Sequence, residues 1–497
     1  MVMRPAGHSG KAKKGHICFD ASFETGNLGR VDLISEFEYD LFVRPDTCCP
    51  KLRIWFNFTV DNVKQDQRVI FNIVNFGKSK VLFNSEMTPI VKSTSRPKWQ
   101  RIVRSSVYYH RSIYHRFRHI LSFAFAFDKE EDIYQFAMAT PYSYSKLQAY
   151  LDVWMRKAKH LKNTVEREII GKSIQKRKID LITIGDESAI KVEDSDPKAK
   201  TEKRRVIVII ARTHGGEPPS SFVCQGLMDF LISNHSMAQL LRQNVTFKII
   251  PMLNPDGVHL GNQRANLMGF DLNRSWNIIS QWAHPTLKAA WEMISEIDKS
   301  KAYQLDFIID IHAHTSQKGC FIYGNAYDDV YRYERHIVFP KIFATKAEGY
   351  CMENSLFNAD SSKVGTARRF FCTNLGKHTN AFTLQVSMGG YHLTNIPHYI
   401  HYNDDACILC QIIVPSQLGF LLKYIFLECG CPGSWDEVDP GLGCWCVWPP
   451  TARFFDLSSR TLRTSSCTTV DSYPIFIHLF FPKLCLHPFL TSTQHPQ

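Results

Sequence analysis

Four largely apolar runs in the second half of the chain, separated by helical patterns, constrain the fold most strongly. The runs cover residues 206–210, 247–253, 307–311 and 382–386. Between them, residues 221–232 and 285–297 place apolar side chains on one face at helical spacing. Strands that are buried on both faces and alternate with helices predict a parallel or mixed sheet covered on both sides. In such sheets, ligands bind at the strand ends.

The first part of the chain has a different pattern. Short runs of β-branched and aromatic residues alternate with turn residues at 39–43, 54–60, 69–74, 106–109 and 121–127. This pattern predicts a small β-sandwich over residues 17–140. The α/β domain is expected at 141–414, with a helix over 144–160 and an exposed lysine-rich loop over 194–205.

The two ends of the chain are expected to lie outside these domains. Residues 1–16 are polar and basic, which predicts a disordered N-terminus without the apolar run of a signal peptide. Residues 415–497 form an atypical Cys-rich extension, and eight of the 15 cysteines follow residue 400. The pairs Cys429/Cys431 and Cys444/Cys446 lack the spacing of a zinc knuckle. A poorly ordered extension, or a segment read through from non-coding sequence, is the interpretation.

Two of the apolar runs end in residues that bind metals. His214 and Glu217 follow the first run on a glycine turn, and His312 ends the third run. Three protein ligands with an open fourth position are typical of a catalytic zinc site. We therefore predict one Zn²⁺ per chain on these residues. His314 competes for the same position, and a hydrogen-bonding role in a loop is the expectation for it.

A polar segment lies between the two metal-binding runs. It contains Arg264, Asp271 and the pair Asn273-Arg274. Arginine binds a carboxylate through two parallel hydrogen bonds, and asparagine adds a donor. Beside a zinc site, the Asn-Arg pair therefore favours a substrate with a free carboxylate.

These motifs, taken in order, resemble the M14 family of zinc carboxypeptidases. His214-x-x-Glu217, NPDG, "FDLNR" and "DIHAH" carry the resemblance, and the last two resemble its cytosolic branch. So do "FETGNLGRVD", "STSRPKWQR" and "PYSYSKLQAYLD" in the first part of the chain. The resemblance covers about residues 19–405. It implies an α/β, mixed-sheet zinc carboxypeptidase domain preceded by a small N-terminal β-sandwich.

The resemblance also implies roles and substrates. Asn273 and Arg274 match the pair that holds the terminal carboxylate, Arg264 matches the arginine that polarises the scissile carbonyl, and Asp271 matches the carboxylate that orients the first zinc histidine. The cytosolic branch removes glutamates from tubulin and other acidic-tailed proteins in the cytoplasm, at microtubules or centrioles. A basic specificity pocket is then required, and its candidates are Lys363, Arg368 and Arg369, with a solvated basic loop as the alternative.

One position departs from the family pattern. The last catalytic strand of the family carries a glutamate as general base, and this chain has Gln385 there. An amide accepts hydrogen bonds but does not take up a proton near neutral pH. Loss of a positioned base costs on the order of 10²–10⁴ in rate. Gly215, where the family usually has proline, is a smaller departure.

Three functional interpretations follow. The chain is an active deglutamylase with an erroneous codon at 385, a zinc-binding pseudoenzyme that recognises glutamylated tails, or a basic nucleic-acid-binding protein. The third rests on charge: residues 1–205 hold 37 Lys and Arg against 24 Asp and Glu. No nucleic-acid-binding motif accompanies this charge, and no run of about 18 apolar residues exists. We therefore expect an acidic protein partner, no nucleic acid, no membrane and a monomer.

Overall fold

The computed structural model describes residues 13–161, 164–186, 203–347, 349–392 and 399–402. These residues belong to one compact unit, Met1–Cys431. Residues 1–12 of the predicted N-terminal segment, most of the predicted lysine-rich loop and the whole Cys-rich extension lie outside the described residues.

Twenty strands and seven α-helices make up the described part of the chain. The strands of the first part are β1 (Cys18–Asp20), β2 (Arg30–Ser35), β3 (Glu38–Phe42), β4 (Asn57–Asp61), β5 (Arg68–Ile73), β6 (Ile90–Ser93), β7 (Gln100–Arg101), β8 (Val107–Ser112), β9 (Arg118–Ala126) and β10 (Tyr134–Ala137). The strands of the second part are β11 (Val165–Lys172), β12 (Lys178–Ile184), β13 (Arg204–Ala211), β14 (Val245–Ile250), β15 (Tyr303–His314), β16 (Cys320–Asn325), β17 (Leu356–Asn358), β18 (Asn380–Ser387), β19 (Gly390–His392) and β20 (Tyr399–His401). The helices are α1 (Tyr144–Lys157), α2 (Pro218–Leu231), α3 (Ser236–Asn244), α4 (Pro255–His259), α5 (Pro285–Lys299), α6 (Val330–Lys346) and α7 (Ala367–Asn374).

The first part of the chain is a sandwich of two five-stranded sheets. Their strand orders are β1-β4-β10-β6-β7 and β2-β3-β5-β9-β8. Aromatic rings fill the space between them, and Phe58, Phe71 and Phe136 contact one another with ring centroids 5.4–6.0 Å apart. The predicted β-sandwich is confirmed.

An eight-stranded mixed sheet forms the second part. Its order is β11-β12-β14-β13-β15-β18-β16-β17, and the central strands β14, β13, β15 and β18 run parallel. Val206 and Val208 pack with α5 and α7 on one face, whereas Ile207 and Ile209 pack with α1, α2 and α6 on the other. Both faces of β13 are therefore buried, as its apolar run predicts.

Some elements differ from the sequence-based expectation. Helix α2 begins at Pro218 because proline suits the first turn of a helix, where its missing N–H is not needed. Helix α6 was not predicted, since Pro340 lies inside it. No helix within the described residues is long and apolar enough to cross a membrane.

The sandwich and the mixed sheet share part of their packing. Ala313, the residue after His312, belongs to the apolar core of the sandwich together with Met388. The end of β15 is therefore buried against the first part of the chain.

Candidate active site

The ends of β13 and β15 bring the predicted metal ligands together. The two strands are parallel neighbours, with Ala211 opposite Ile311. His214 and Glu217 lie in the turn that follows β13, and His312 is the third residue from the end of β15. Because parallel strands end at the same edge of a sheet, residues about 95 positions apart in sequence meet in one buried cluster.

The three side chains point nitrogen and oxygen atoms at a common point. His214 Nδ1 lies 2.8 Å from Glu217 Oε1, His312 Nδ1 lies 2.9 Å from Glu217 Oε2, and the two Nδ1 atoms are 3.0 Å apart. The three ligand atoms all lie within 4.8 Å of one another. Two imidazoles and one carboxylate are a ligand set that zinc prefers.

A carboxylate behind each histidine fixes its tautomer. His214 Nε2 lies 2.9 Å from Asp271 Oδ1, and His312 Nε2 lies 2.7 Å from Asp310 Oδ2. A carboxylate only accepts hydrogen bonds, so Nε2 of each ring carries a hydrogen, and Nδ1 is the nitrogen that would bind a metal ion. The ligand atoms therefore fit a metal ion at this point.

Asp310 was missed by the sequence analysis. Residues two apart on a strand share one face, so the Asp310-x-His312 spacing held the signal. Burial opposes ionisation of Glu217, but His214 and His312 outweigh it and hold the pKa of this carboxyl well below its usual range. Burial alone would lower the pKa of His312, and Asp310 and Glu217 instead raise it to about 10. These shifts describe a cluster of unlike charges.

Arg264 reaches the metal-ligand cluster from the loop after α4. Its Nε donates to Asp271 Oδ2 at 2.5 Å, and its Nη1 lies 3.8 Å from Glu217 Oε1. Asp271 thus orients both an arginine and a histidine. One side of the guanidinium group lines the cavity in front of the cluster.

The loop that carries Arg264 is held by the sandwich. Asp46 is buried, and its carboxylate accepts backbone N–H groups from Gln263 at 2.6 Å, Arg264 at 2.7 Å and Ala265 at 2.8 Å. No pattern in the sequence points to Asp46, because 217 residues separate it from Gln263. The first part of the chain is therefore part of the site.

Asn273 and Arg274 follow Asp271 in a short 3-10 turn. Asn273 Nδ2 lies 2.9 Å from His312 Nε2, and Asn273 Oδ1 accepts the N–H of Ala367 at 2.9 Å. Arg274 donates to the backbone carbonyl of Asn273 at 2.7 Å, and burial lowers its pKa. Both residues line the cavity, but the amide of Asn273 also links the cluster to α7.

The cavity in front of the cluster has a volume of about 290 Å³. Its lining within the described residues includes four basic side chains and one carboxylate, which are Arg264, Arg274, Lys363, Arg368 and Glu217. Arg368 is buried, and its guanidinium group donates to Asn325 Oδ1 at 3.2 Å and Asn358 Oδ1 at 3.0 Å. Burial lowers its pKa to about 10. Lys363 also lines the cavity, has a partly exposed side chain and lies 3.6 Å from Asp360.

Two other predicted candidates lie apart from these groups. Arg369 is not part of the described lining, and its Nη1 contacts Cys372 Sγ at 3.9 Å. His314 lines the cavity outside the metal-ligand cluster. Its Nδ1 accepts backbone N–H groups from Ser316 and Gln317, at 3.3 and 3.0 Å, and burial lowers its pKa to about 4.

Gln385 lies beside the cluster on β18. It is the register partner of His312, and its side chain lines the cavity. Its Oε1 is buried and has no hydrogen-bond partner among the described residues. The position thus faces the space where a substrate would lie.

The turn between His214 and Glu217 packs closely against Arg212 and Asn262. Arg212 is fully buried with a positive φ of 55°, and it donates to the carbonyl of Gly215 at 2.8 Å and to Ser221 Oγ at 2.9 Å. Burial lowers the pKa of Arg212 to about 9. A Cβ at Gly215 would lie 2.5 Å from the carbonyl oxygen of Asn262. This close approach shows that the turn around Gly215 is not loose.

Comparison with known families matches both parts of the chain. The family model described as cytosolic carboxypeptidase N-terminal domain matches residues 19–136. The model described as zinc carboxypeptidase matches residues 151–405. Together they cover the sandwich and the mixed sheet.

Curated relatives match over most of their length. Cytosolic carboxypeptidase 6 of Homo sapiens is 49% identical over 405 residues, which covers 82% of this chain and 78% of the relative. Cytosolic carboxypeptidase 6 of Caenorhabditis elegans is 42% identical over 430 residues, which covers 84% and 89%. Among solved structures, a metallo-carboxypeptidase from Burkholderia cenocepacia has a TM-score of 0.66 at 19% identity, and the match covers 83% of this chain and 99% of that chain. This last likeness concerns the fold alone.

Proposed function

The chain belongs to the cytosolic branch of the zinc carboxypeptidases, and from this premise we propose that it acts on proteins that end in glutamate. Members of this branch are metallocarboxypeptidases that act on proteins. The proposal adds the substrate, which is a C-terminal or side-chain-linked glutamate, and a role for each residue of the cavity. It also takes account of glutamine at position 385.

The charge of the cavity is the observation that carries the proposal. Four basic side chains and one carboxylate line a space of about 290 Å³ beside the cluster of His214, Glu217 and His312. A C-terminal glutamate brings two carboxylates into this space. Arginine and lysine in a partly dehydrated site bind carboxylates strongly. The excess of positive charge therefore favours an acidic residue over a neutral one.

His214, Glu217 and His312 would hold one zinc ion. Zinc, when bound, acts as a Lewis acid and lowers the pKa of a bound water to about 7. Asp271 and Asp310 keep the two imidazole rings in the tautomer with Nδ1 free for the metal.

Arg264 and Arg274 would bind the reacting end of the substrate. Arg264 lies between Asp271 and Glu217, so its guanidinium group is already oriented for an oxygen that gains charge during hydrolysis. Arg274 would pair with the terminal carboxylate. Asn273 Oδ1 accepts the N–H of Ala367, so the amide nitrogen of Asn273 keeps its hydrogens to donate to the same carboxylate.

Arg368 would recognise the glutamate side chain. It is buried at the wall of the cavity, and its hydrogen-bond partners Asn325 and Asn358 are neutral. No carboxylate among the described residues lies within ion-pair distance of it. Lys363 would add positive charge at the entrance. Arg369 is not assigned a role, because it does not line the cavity.

Gln385 sets the expected rate. A glutamate at this position would take the proton of the attacking water and return it to the leaving amine. The amide of glutamine does not, so turnover is expected to be slower by on the order of 10²–10⁴. A second candidate function follows from the same observation. The chain then binds zinc and glutamylated tails without releasing product.

Tubulin and other acidic-tailed proteins are the proposed partners. Acidic tails match the charge of the cavity, and the curated relatives are named as cytosolic proteins. The proposed location is the cytoplasm, at microtubules or centrioles, and the proposed oligomeric state is a monomer.

The test uses the zinc-loaded full chain and peptides that differ in the last residue alone. We expect one zinc per chain and tighter binding of a peptide ending in glutamate than of its glutamine counterpart. Slow release of glutamate would show that the chain is a weak enzyme. Peptide that stays intact after a day of incubation would show that the chain binds glutamylated tails without cleaving them. Equal affinity for the two peptides would contradict the proposed substrate.

A further inference from the structure

The sandwich presents a second basic region, away from the metal-ligand cluster. Residues 87–127 contain eight Lys and Arg and no Asp or Glu. The second half of this segment is the hairpin of β8 and β9, residues 107–126, which contains three of the eight and has β8 at the edge of its sheet. We call these residues the basic hairpin.

The arginines of the basic hairpin are available to a partner. Arg111, Arg116 and Arg118 are exposed. None of the carboxylates that the structure describes lies within ion-pair distance of them. The neighbouring acids are already engaged: Glu38 accepts from Asn72 at 2.8 Å, and Asp40 accepts from Asn72 at 3.1 Å and pairs with His115 at 2.7 Å. The hairpin itself contains no Asp or Glu, so it carries a net positive charge.

Large apolar side chains are exposed at the tip of the same hairpin. Tyr114 is 96% exposed, Ile113 is 73% exposed and Phe117 is also exposed, and Tyr108 is exposed further along β8. Exposing large apolar side chains to water is unfavourable, so a basic surface without a binding partner would not be expected to carry them. Exposed aromatic residues between arginines are instead typical of the centre of a binding surface.

Hydrogen bonds of His115 tie the tip of the hairpin to the neighbouring strand β3. His115 Nδ1 lies 2.8 Å from Ser112 Oγ, and His115 Nε2 lies 2.7 Å from Asp40 Oδ2 on β3. A preformed surface binds with less loss of conformational entropy than a loop that must be ordered.

A short chain of contacts joins the basic hairpin to the active-site cavity. Tyr109 donates its hydroxyl hydrogen to the carbonyl of Lys78 at 2.8 Å. Lys78 Nζ donates to Thr315 Oγ1 at 2.8 Å, and Leu82 N donates to the carbonyl of Thr315 at 2.9 Å. Thr315 lies three residues after His312. Strand β8 of the hairpin is therefore linked through Lys78 to the segment that follows His312.

We propose that the basic hairpin is a docking surface for the acidic protein segment whose C-terminus enters the cavity. This inference rests on the proposed function, because it adds a second contact to the same substrate. The charges agree: one acidic tail matches both the cavity and the hairpin. An extended chain spans at most about 3.3–3.6 Å per residue, and Tyr114 lies five residues beyond Tyr109. A four-residue peptide then spans at most about 14 Å and a tail of twenty residues about 70 Å, so only the long tail is expected to contact the cavity and the hairpin at once.

The experiment compares two fluorescein-labelled peptides on the zinc-loaded full chain. One is a glutamate-rich peptide of twenty residues, and the other consists of its last four residues. Fluorescence anisotropy gives the Kd of each. We expect the long peptide to bind at least about 10-fold more tightly, and this advantage to shrink between 50 and 300 mM salt because exposed charges are screened.

Charge reversal on the hairpin is the decisive change. Arg111→Glu with Arg118→Glu is expected to remove the advantage of the long peptide and to change the Kd of the short one by less than about twofold, since screening limits the effect of distant charges. The matched control is Lys172→Glu with Lys299→Glu, which makes the same change of net charge at exposed sites outside the hairpin. Tyr114→Ser tests the tip without a change of charge, and about threefold weaker binding of the long peptide is expected.

Several results would overturn the inference. One is that the hairpin variant and Tyr114→Ser both bind the long peptide as tightly as the parent chain. Another is that the control variant loses as much affinity for the long peptide as the hairpin variant does. Tighter hairpin-dependent binding of a twenty-nucleotide RNA, or of vesicles containing phosphatidylserine, would assign the surface to nucleic acid or to membrane instead. A short peptide that fails to bind while the long one binds through the hairpin would contradict the proposed function and leave the docking surface standing.

Discussion

The two sides of the active-site cavity differ in how completely their polar groups are satisfied. On the metal side, His214 and His312 each have a carboxylate behind them, and Glu217 lies 2.8 and 2.9 Å from their Nδ1 atoms and accepts the N–H of Ala313. On the opposite side, Gln385 leaves a buried oxygen without a partner among the described residues. The two sides are neighbouring strands, with His312 directly opposite Gln385.

This difference shows which part of the site is fixed by the fold. The metal ligands are held by several groups each, so a change of one residue on β18 leaves their geometry intact. Glutamine has the shape of glutamate but lacks its charge and its ability to carry a proton. The site is therefore expected to bind metal and substrate normally and to fail in proton transfer.

Gln385→Glu would restore an ionisable group on the β18 side of the cavity and should have the largest effect on activity. A carboxylate at this position supplies a general base, so kcat for glutamate release should rise on the order of 10²–10⁴. The measurement is release of glutamate from a peptide by the zinc-loaded protein. Gln385→Met, which cannot take up a proton, is the control. An unchanged kcat at unchanged zinc content would show that the missing base does not limit the reaction.

Arg368→Ala and Arg369→Ala test which of these two arginines recognises the side chain of the substrate glutamate. Removing the buried Arg368 should lower the preference for a glutamate over a glutamine terminus by about 10–100-fold, because a hydrogen bond to a charged group contributes about 1.5–3 kcal/mol. Arg369 does not line the cavity, so its removal should change the preference by less than about twofold. The ratio of the two affinities is independent of the folded fraction. Equal effects of both changes would contradict the assignment.

Asp310→Asn would weaken the metal side. The amide cannot accept the Nε2–H of His312 as strongly, and such changes typically lower metal affinity about 10–100-fold. Competition with a chromophoric chelator measures the zinc affinity. Glu296→Gln, an exposed carboxylate on α5, is the control. If Asp310→Asn kept the parent affinity, the carboxylate behind His312 would have no part in holding the metal.

Asp46→Ala asks whether the sandwich contributes to catalysis. Three backbone N–H groups next to Arg264 lose their acceptor, so Arg264 should be less well placed. We expect kcat/KM to fall on the order of 10-fold in the Gln385→Glu background, with zinc affinity unchanged. Asp61→Ala, an exposed change in the same sandwich, is the control. A matching loss of zinc would instead indicate general damage to the site.

The sequence was most informative where local pattern and function coincide. Apolar runs predicted β13 and β15, and the histidines at their ends predicted which side chains meet, because parallel strands end at one edge. Asp310 was within reach of the same reasoning, since it lies two residues before His312 on one face of β15.

Contacts between distant parts of the chain were not predictable in this way. Asp46 binds the loop of Arg264 from another domain, and no local spacing encodes such a contact. Arg368 and Arg369 were equivalent as a basic pair in sequence. Neighbouring residues on a helix do not face the same direction, so one lines the cavity and the other contacts Cys372.

The position of Ala313 has a consequence for inherited variation in this protein. Ala313 follows His312 by one peptide bond, and its side chain packs in the aromatic core of the sandwich. A substitution that loosens that core, such as a smaller residue at Phe56 or Phe71, is expected to shift the strand end that carries His312. Variants far from the catalytic residues in sequence are then expected to lose zinc before they lose their secondary structure, and to be mistaken for defects of the metal site.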